Sequence, residues 1–290
     1  MITFQGAAYL KAQMDSILGQ SIPVHEIIVC DDGSTDGTRE ILATYAASHP
    51  HIQLFFNEKN LGTVANMQQC LRRTTGDLIF LADQDDVWLP SKVEKTLAFF
   101  QENPEADAVF SNADIIDEVA ETQFGMTLWD IIGFPYSQVD LADFETRVDN
   151  VVTGAGLTFK RNQELLEKDI PQIPGLLHDG WIGLYFAAKN TLKATPEKLF
   201  QYRSHANQQV GGKIKERQAL LDFNLALYDG VPVMKDFATW KAAMKRLYTN
   251  LDLPYMNKVK IQYQIELYAE YGKTYFQLRA SLFLFIKAIR

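Results

Sequence analysis

The first 118 residues alternate short β-rich runs with amphipathic helical windows, and this alternation constrains the fold more than any other feature of the chain. Apolar, β-rich runs end at Cys30, Phe56, Ala82 and Ser111. Helical windows lie between them, near residues 7–20, 36–48, 63–73 and 90–101. Such alternation is typical of βαβ units around a parallel sheet. We therefore predict an α/β fold with a mostly parallel sheet flanked by helices.

The pattern changes twice later in the chain. Residues 119–150 show no clear period, which is typical of a variable insertion or a lid. Beyond Gly211-Gly212 the sequence has a helical pattern to its end. We predict an α/β domain over residues 1–212 and a helical C-terminal extension over residues 213–290.

Charge divides the chain at nearly the same place. The net charge is −8, but residues 1–211 hold 15 Lys and Arg against 29 Asp and Glu, whereas residues 212–290 hold 13 against 7. The basic tail fits either a solvated helical surface or attraction to an anionic membrane or acceptor. Nucleic acid is not an expected partner, because no recognition motif accompanies the charge.

Two features of composition bear on location. No apolar stretch approaches the roughly 20 residues of a membrane-spanning helix, and no basic-then-apolar signal pattern opens the chain. We expect a cytoplasmic protein whose basic tail is able to contact the inner membrane face.

Three carboxylates within four positions follow the third apolar run, in Leu81-Ala-Asp-Gln-Asp-Asp86. Asp83 and Asp85 are two apart at a strand end and should project to the same side. Crowded carboxylates repel one another unless a cation or solvent compensates them, and hard oxygen ligands favour Mg²⁺ or Mn²⁺. A polar turn that caps the next helix is the alternative, and it stays open for Asp86. For the pair we predict a cation site able to neutralise a diphosphate.

The strand that ends at Cys30 continues into Asp31-Asp-Gly-Ser-Thr-Asp-Gly-Thr38. Its glycines permit a tight turn close to a ligand, and Asp31 can accept a hydrogen bond from a base N–H or a ribose hydroxyl. No Lys-Ser/Thr follows the glycines and the spacing is not G-x-G-x-x-G, so the two common phosphate loops are excluded. A simple turn and helix cap is the alternative interpretation.

A third motif, His178-Asp-Gly-Trp181, begins an apolar helical run. Asp179 there is either a helix cap or a general base for transfer to a hydroxyl. Trp181 beside it offers an aromatic face on which a sugar ring can stack. We treat the two as paired candidates.

A polar loop, Tyr202-Arg-Ser-His-Ala-Asn-Gln-Gln-Val-Gly-Gly212, separates the α/β part from the helical tail. His205 is a candidate metal ligand or phosphate partner, and Arg203 is a candidate phosphate clamp. A solvent-facing loop without ligand contacts is the alternative.

Taken in order, these motifs resemble the family 2 glycosyltransferases of the GT-A fold. The resemblance rests on the Asp31 to Thr38 segment, Asn60-Leu-Gly62 with Asn66, and Asp83-Gln-Asp-Asp-Val-Trp-Leu-Pro90. The motifs around Asp179 and His205 are similar to a rhamnosyltransferase-like branch that builds bacterial surface polysaccharides. The resemblance covers about residues 3–212, so it identifies residues 1–212 as a nucleotide-sugar-binding and catalytic domain.

The resemblance implies an inverting transfer of a sugar from a nucleoside-diphosphate donor, dTDP-rhamnose or a UDP-hexose, to a hydroxyl of a saccharide or lipid-linked acceptor. It also implies Mg²⁺ or Mn²⁺ as cofactor. By position, the resemblance implies that Thr3 and Asp31 contact the nucleoside and that Asp83 contacts the ribose. It implies that Asp85 binds the metal and that His205 lies near the metal and the diphosphate. Asp179 matches the catalytic base.

Two other functions compete with this one. A sugar nucleotidyltransferase shares a related fold, but Thr3-Phe-Gln-Gly6 lacks the Gly-rich, Lys- or Arg-bearing loop expected of that class. A catalytically impaired saccharide-binding relative is the non-enzyme alternative. The reason for this alternative is that only Met1 and Ile2 precede Thr3, whereas family members have a complete strand there. We therefore expect a shortened first strand.

Overall fold

The computed structural model of the chain describes residues 1–120, 122–132, 134, 151–171 and 177–205, with only the backbone given at 122–126, 130 and 131. The strands are β1 Ile2–Thr3, β2 Ile27–Asp31, β3 Ile52–Phe56, β4 Leu78–Phe80, β5 Val87–Trp88, β6 Ala108–Ile116, β7 Thr122–Thr127, β8 Leu157–Lys160 and β9 Leu192–Arg203. The α-helices are α1 Leu10–Leu18, α2 Thr38–Ser48, α3 Thr63–Arg72, α4 Lys92–Glu102, α5 Leu128–Ile132, α6 Gln163–Glu167 and α7 His178–Ala188.

A three-stranded parallel sheet of order β1-β2-β3 forms the N-terminal part. Every residue of β2 is buried. Ile27 and Val29 pack into one apolar cluster, while Ile28 and Cys30 pack into another. Because alternate side chains of a strand point to opposite faces, both faces of this sheet are covered. The predicted α/β fold is confirmed.

The second sheet has the order β4-β8-β6-β9-β5, with β7 paired to β6. Strands β6 and β9 run parallel, whereas β8 lies antiparallel to both β4 and β6. Pro196 falls where the β6–β9 register shifts, a position that suits a residue without a backbone donor. The βαβ pattern predicts the parallel pairs β1–β2 and β2–β3; it does not predict the pairs of β4 with β8, β5 with β9, or β6 with β9, which join strands far apart in sequence.

The segment predicted to be an insertion or lid is, in its described part, built into the core. It contains β7 and α5, and Trp129 on α5 is 1% exposed. The Trp129 ring lies 4.7 Å from that of Phe134 and 5.8 Å from that of Phe110, between ring centroids. Residues 122–132 and Phe134 thus belong to the fold, and the rest of the segment lies mostly outside the described residues.

The described residues all fall in the first of two units into which the chain divides, Met1–Gln208. Among the helices described, none is long and apolar enough to cross a membrane. The predicted helical extension over residues 213–290 lies outside the described residues, and it stays a prediction.

Candidate functional site

The loop between β4 and β5 carries the acidic motif, and the end of β9 brings His205 to it. His205 Nε2 lies 2.9 Å from Asp85 Oδ2, although the two residues are 120 positions apart. Both side chains are largely buried, with 7% of His205 and 18% of Asp85 exposed. The predicted metal pair is therefore brought together in the structure.

Arg203 holds the acidic loop in place, and its guanidinium is not available to bind a phosphate. Its backbone N–H donates to Asp86 Oδ1 at 2.9 Å and its Nε donates to the Asp85 carbonyl at 2.7 Å. The guanidinium also donates to backbone carbonyls after β6 and lies 5.0 Å above the Tyr9 ring. Only 3% of the residue is exposed, so the clamp interpretation was wrong. Arg203 instead positions the Asp85 carbonyl and the Asp86 carboxylate.

The acidic loop holds more negative charge than its surroundings compensate. Burial, and after it the charge of Asp85, raises the pKa of Asp83 to about 6. Burial, and after it the charges of Asp85 and Asp83, raise the pKa of Asp86 well above its ordinary value. Within the described part of the chain, Asp86 Oδ2 has no hydrogen-bond partner. An oxygen-rich site with surplus charge is one that a divalent cation relieves.

Lys92 supplies part of the compensation, and sequence reasoning missed it. The Lys92 ammonium is buried between the Trp88 and Phe200 rings, 5.0 and 4.7 Å from their centroids. It donates to the Ala155 carbonyl at 2.8 Å, and burial lowers its pKa to about 7 despite the attraction of Asp86 and Asp83. The sequence did contain an indication of this burial. Lys92 lies four positions before the buried Thr96, so both residues are on the same face of α4.

Asp31 and Thr3 also contact each other, but both side chains are buried. Thr3 Oγ1 donates to Asp31 Oδ2 at 2.9 Å, Ser34 N–H donates to Oδ1 at 3.0 Å, and Arg39 Nε donates to Oδ1 at 2.7 Å. Burial opposes ionisation of Asp31, but the hydrogen bonds from Ser34, Arg39 and Thr3 outweigh it, so its pKa is lowered. Asp31 is 0% exposed. The geometry gives both side chains a structural role, and direct nucleoside contact stays a prediction.

Asp32 joins two of the motifs on which the family resemblance rests. Its carboxylate accepts from the backbone N–H groups of Leu61 and Gly62 at 2.8 and 2.9 Å, and from Asn57 Nδ2 at 2.9 Å. Asn66 Nδ2 donates to the Cys30 carbonyl at 2.9 Å. The loop after β3 is thereby held against the end of β2, so these motifs form one surface.

Gln84 links the acidic loop to the end of β1. The Phe4 backbone N–H donates to Gln84 Oε1 at 2.9 Å, and Gln84 Nε2 donates to the Phe4 carbonyl at 3.0 Å. The Phe4 side chain is 46% exposed beside this pair. The strand-end loops of both sheets thus meet at one edge, which is where ligands bind in open α/β sheets.

Asp179 and Trp181 lie in the first turn of α7. The residue preceding the helix is Leu177, and Asp179 Oδ1 accepts from the Gly180 N–H at 2.7 Å, so Asp179 is not the N-cap. The charge of Asp179 contributes to the raised pKa of Asp83, which brings α7 into the electrostatic range of the acidic loop. Trp181 packs on the core with an indole N–H that has no partner among the described residues.

The donor set suits Mg²⁺ or Mn²⁺, although the described residues hold no group of three or more His, Cys, Asp and Glu side chains arranged for a metal. Asp85 and Asp83 offer carboxylate oxygens and His205 an imidazole nitrogen, which are acceptable ligands for these ions. The unpartnered Asp86 Oδ2 and the raised pKa of Asp83 show that added positive charge would be favourable. These residues therefore fit a divalent cation.

Residues 1–166 match the model of the family described as glycosyl transferase family 2. Among curated relatives, the chain is 38% identical over 110 residues to EpsE of Bacillus subtilis (strain 168), whose name calls it a glycosyltransferase; the match covers 38% of this chain and 40% of that protein. It is 36% identical over 100 residues to TuaG of the same organism, named for teichuronic acid biosynthesis, covering 34% and 40%. The chain thus spans about 40% of the length of these relatives.

Among solved structures, the mannosyltransferase PcManGT from Pyrobaculum calidifontis, in complex with GDP-Man and Mn²⁺, superimposes with a TM-score of 0.53. The alignment covers 99% of this chain and 78% of that one. Sequence identity is 20%, so this similarity establishes the fold.

Proposed function

This chain belongs to glycosyl transferase family 2, and from that membership we propose that it transfers a sugar from a nucleoside-diphosphate sugar to a hydroxyl of a saccharide or lipid-linked acceptor. The expected donors are dTDP-rhamnose or a UDP-hexose, and the expected setting is synthesis of a cell-surface polysaccharide. TuaG is named for teichuronic acid biosynthesis, which supports a role in polysaccharide synthesis. PcManGT is in complex with GDP-Man, which supports a nucleoside-diphosphate sugar as donor. The likeness to a rhamnosyltransferase branch remains part of the proposal.

The observation that carries the proposal is the convergence of four side chains from three distant segments. Asp83 and Asp85 come from the β4–β5 loop, His205 follows β9, and Asp179 begins α7. His205 contacts Asp85, and the charges of Asp85 and Asp179 both act on Asp83. A turn or a helix cap explains each residue alone, but neither explains why residues so far apart in sequence contact one another or influence one another's ionisation.

Asp85 and His205 would hold Mg²⁺ or Mn²⁺, which when bound neutralises the charge of a diphosphate leaving group. Asp83, directly beside them, accepts a hydrogen bond from a hydroxyl of the donor. Trp181 offers its ring to a sugar face on the acceptor side. Thr3 and Asp31 brace the turn that faces the nucleoside.

Asp179 acts as the general base in this proposal. It takes the proton of the acceptor hydroxyl while that oxygen forms a bond to the anomeric carbon, and the bond from that carbon to the diphosphate oxygen breaks. A single displacement of this kind inverts the anomeric configuration. The electrostatic proximity of Asp179 and Asp83 agrees with a base close to the bound donor.

The test is a donor panel assayed with the purified full-length chain. UDP-glucose, UDP-GlcNAc, dTDP-rhamnose and GDP-mannose are incubated with and without Mn²⁺ and with saccharide acceptors, and release of nucleoside diphosphate is measured. The proposal expects Mn²⁺-dependent release with at least one donor. Pyrophosphate release from a nucleoside triphosphate and a sugar phosphate would instead identify a nucleotidyltransferase. Saccharide binding without any turnover would identify an impaired relative.

Location is a separate part of the proposal. We place the enzyme in the cytoplasm with its basic tail at the inner membrane face, on the strength of the charge excess in residues 212–290. Co-sedimentation with anionic vesicles at low and high salt tests the membrane contact, and salt-independent absence of binding would contradict it.

A further inference from the structure

His178 is a buried histidine whose ring has no hydrogen-bond partner in the part of the chain that the structure describes. It is the first residue of α7 and is 4% exposed, and both Nδ1 and Nε2 lack a partner there. Buried polar atoms are nearly always hydrogen-bonded, and an unpaired one carries a free-energy cost. A ring left in this state beside a catalytic centre points to a partner that arrives with the substrate.

Gly154 shows where that partner would lie. A methyl group built on Gly154 would lie 3.3 Å from Asp83 Oδ2 and 3.4 Å from His178 Nε2. The Asp83 carboxylate and the His178 imidazole therefore both lie next to the Cα of Gly154, which carries no side chain. A single oxygen with two hydrogen bonds of about 2.8 Å joins polar atoms up to roughly 5.6 Å apart, which is compatible with these two contacts.

The chemistry of the two groups restricts what can bind between them. A carboxylate accepts hydrogen bonds, and a neutral imidazole donates from one ring nitrogen. Burial lowers the pKa of His178 to about 4, so its ring is neutral near pH 7. A hydroxyl satisfies both groups because it donates to Asp83 and accepts from His178. An ammonium group cannot accept, and a deoxy carbon can do neither.

We propose that His178, Gly154 and Asp83 form a pocket that recognises one hydroxyl of the transferred sugar, which makes His178 and Gly154 specificity-determining residues. The inference rests on the proposed sugar transfer. The donor offers hydroxyls on its ribose and on its sugar, and the two oxygens of Asp83 are able to accept from one of each, so the ribose contact expected from the family resemblance is kept. His178 favours the sugar because it directly precedes Asp179. A base that receives the acceptor proton must lie near the anomeric carbon, and His178 is in the same helical turn as Asp179, with both residues influencing the pKa of Asp83.

The experiment compares a nucleotide with its sugar conjugate. Calorimetric affinities of UDP, UDP-glucose, dTDP and dTDP-rhamnose are measured in the presence of Mn²⁺ for the full-length wild type and His178→Phe. The phenylalanine keeps a planar ring and removes both nitrogens. We expect about a 5- to 20-fold weaker affinity for the nucleotide-sugar that the wild type binds, with the affinity for the matching nucleotide unchanged. His178→Gln, which restores a donor, should recover part of the loss, and the exposed His25→Phe should lose nothing.

A second variant keeps the test valid if the phenylalanine disturbs the helix. Gly154→Ala fills the space between the two groups and should also weaken the nucleotide-sugar selectively. Gly76→Ala is its matched control, because a methyl there meets nothing closer than 3.6 Å. A deoxyfluoro analogue lacking the recognised hydroxyl should bind wild type and His178→Phe with the same affinity.

The outcomes separate the two proposals. The hydroxyl pocket would be overturned if a variant lost as much affinity for the nucleotide as for the nucleotide-sugar. It would also be overturned if neither His178→Phe nor Gly154→Ala lost affinity for the nucleotide-sugar. Both results would leave the proposed transfer intact. A wild type that binds none of the nucleotide-sugars would overturn the proposed transfer, and the pocket with it.

Discussion

Two groups of aspartates lie at strand ends in this protein; both are buried, but they differ in the hydrogen bonds and charges that oppose the effect of burial. Asp31 at the end of β2 accepts hydrogen bonds from Thr3, Ser34 and Arg39, and its pKa is lowered. Asp83 and Asp86, after β4, have raised pKa values because burial and mutual repulsion dominate. The first carboxylate is stabilised in its charged form by the fold itself, whereas ionisation of the second group becomes favourable when a cation binds.

The difference follows from what each loop brings with it. Arg39 lies eight residues after Asp31, at the start of α2, and neutralises it directly at 2.7 Å. The cation near the second group, Lys92, uses its hydrogen bond on the Ala155 carbonyl. Among the described residues, Asp83 and Asp86 have no ion pair like the one between Asp31 and Arg39, which makes the acidic loop the better candidate for a ligand site.

Removal of Asp85 should give the largest effect. Asp85→Ala takes away the carboxylate that contacts His205, so the diphosphate would face Asp83 and Asp86 without a held cation. We expect sugar transfer to fall by at least about 10³-fold and donor affinity to fall with it, since a bound cation contributes several kcal/mol. Initial rates at saturating Mn²⁺ measure this. Asp15→Ala, which removes an exposed carboxylate paired with Lys11, is the control, and a fully active Asp85→Ala would remove the metal site.

A third carboxylate, Asp179, extends the contrast to the helix α7. Asp179→Asn keeps an oxygen that can accept from the Gly180 N–H, so the helix start should be preserved. Only the capacity to take a proton is lost. Transfer should fall by roughly 10²–10⁴-fold while donor affinity stays near the wild-type value. Single-turnover rates and calorimetry on the same preparation separate the two quantities, and an unchanged rate would assign Asp179 a structural role.

Asp31 should respond in the opposite sense, through stability. Asp31→Asn removes the charge that Arg39, Thr3 and Ser34 are arranged to meet, and it leaves the half-buried Arg39 without its counter-ion. We expect a loss of about 2–4 kcal/mol in the free energy of unfolding. Denaturant unfolding measures it, with Asp169→Asn as control because that ion pair with Arg72 is exposed and should contribute under about 1 kcal/mol. A stable Asp31→Asn that fails to bind nucleotide would instead support direct nucleoside contact.

Much of the fold was accessible from the sequence, because strand and helix periods are local. The runs ending at Cys30 and Phe56 became parallel strands, and the acidic motif lay in a strand-end loop as predicted. The antiparallel β8 and the core position of Trp129 were not accessible, since both depend on packing between distant segments. In the site, residue type identified Asp85 and His205 as candidates, and the structure brought them into contact. Residue type also suggested a phosphate clamp at Arg203, where burial and backbone carbonyls decide otherwise.

The smallest expected effect concerns Asp83, and it runs against the usual result that mutations in a folded domain destabilise it. The pKa of Asp83 is raised from an ordinary value of 3.8 to about 6. Between those two values the folded state holds a proton that the unfolded state has released, so stability falls as the pH rises through this window. Asp83→Asn removes this loss. In the metal-free protein it should therefore be more stable than wild type by up to about 3 kcal/mol at pH 7.5, and nearly equal to it at pH 4. Urea unfolding in EDTA at both pH values measures the difference, and added Mn²⁺ should reduce it by stabilising the wild type. If Asp83→Asn is instead the less stable protein at pH 7.5, then Asp83 resembles Asp31 after all, and the contrast between the two strand ends fails.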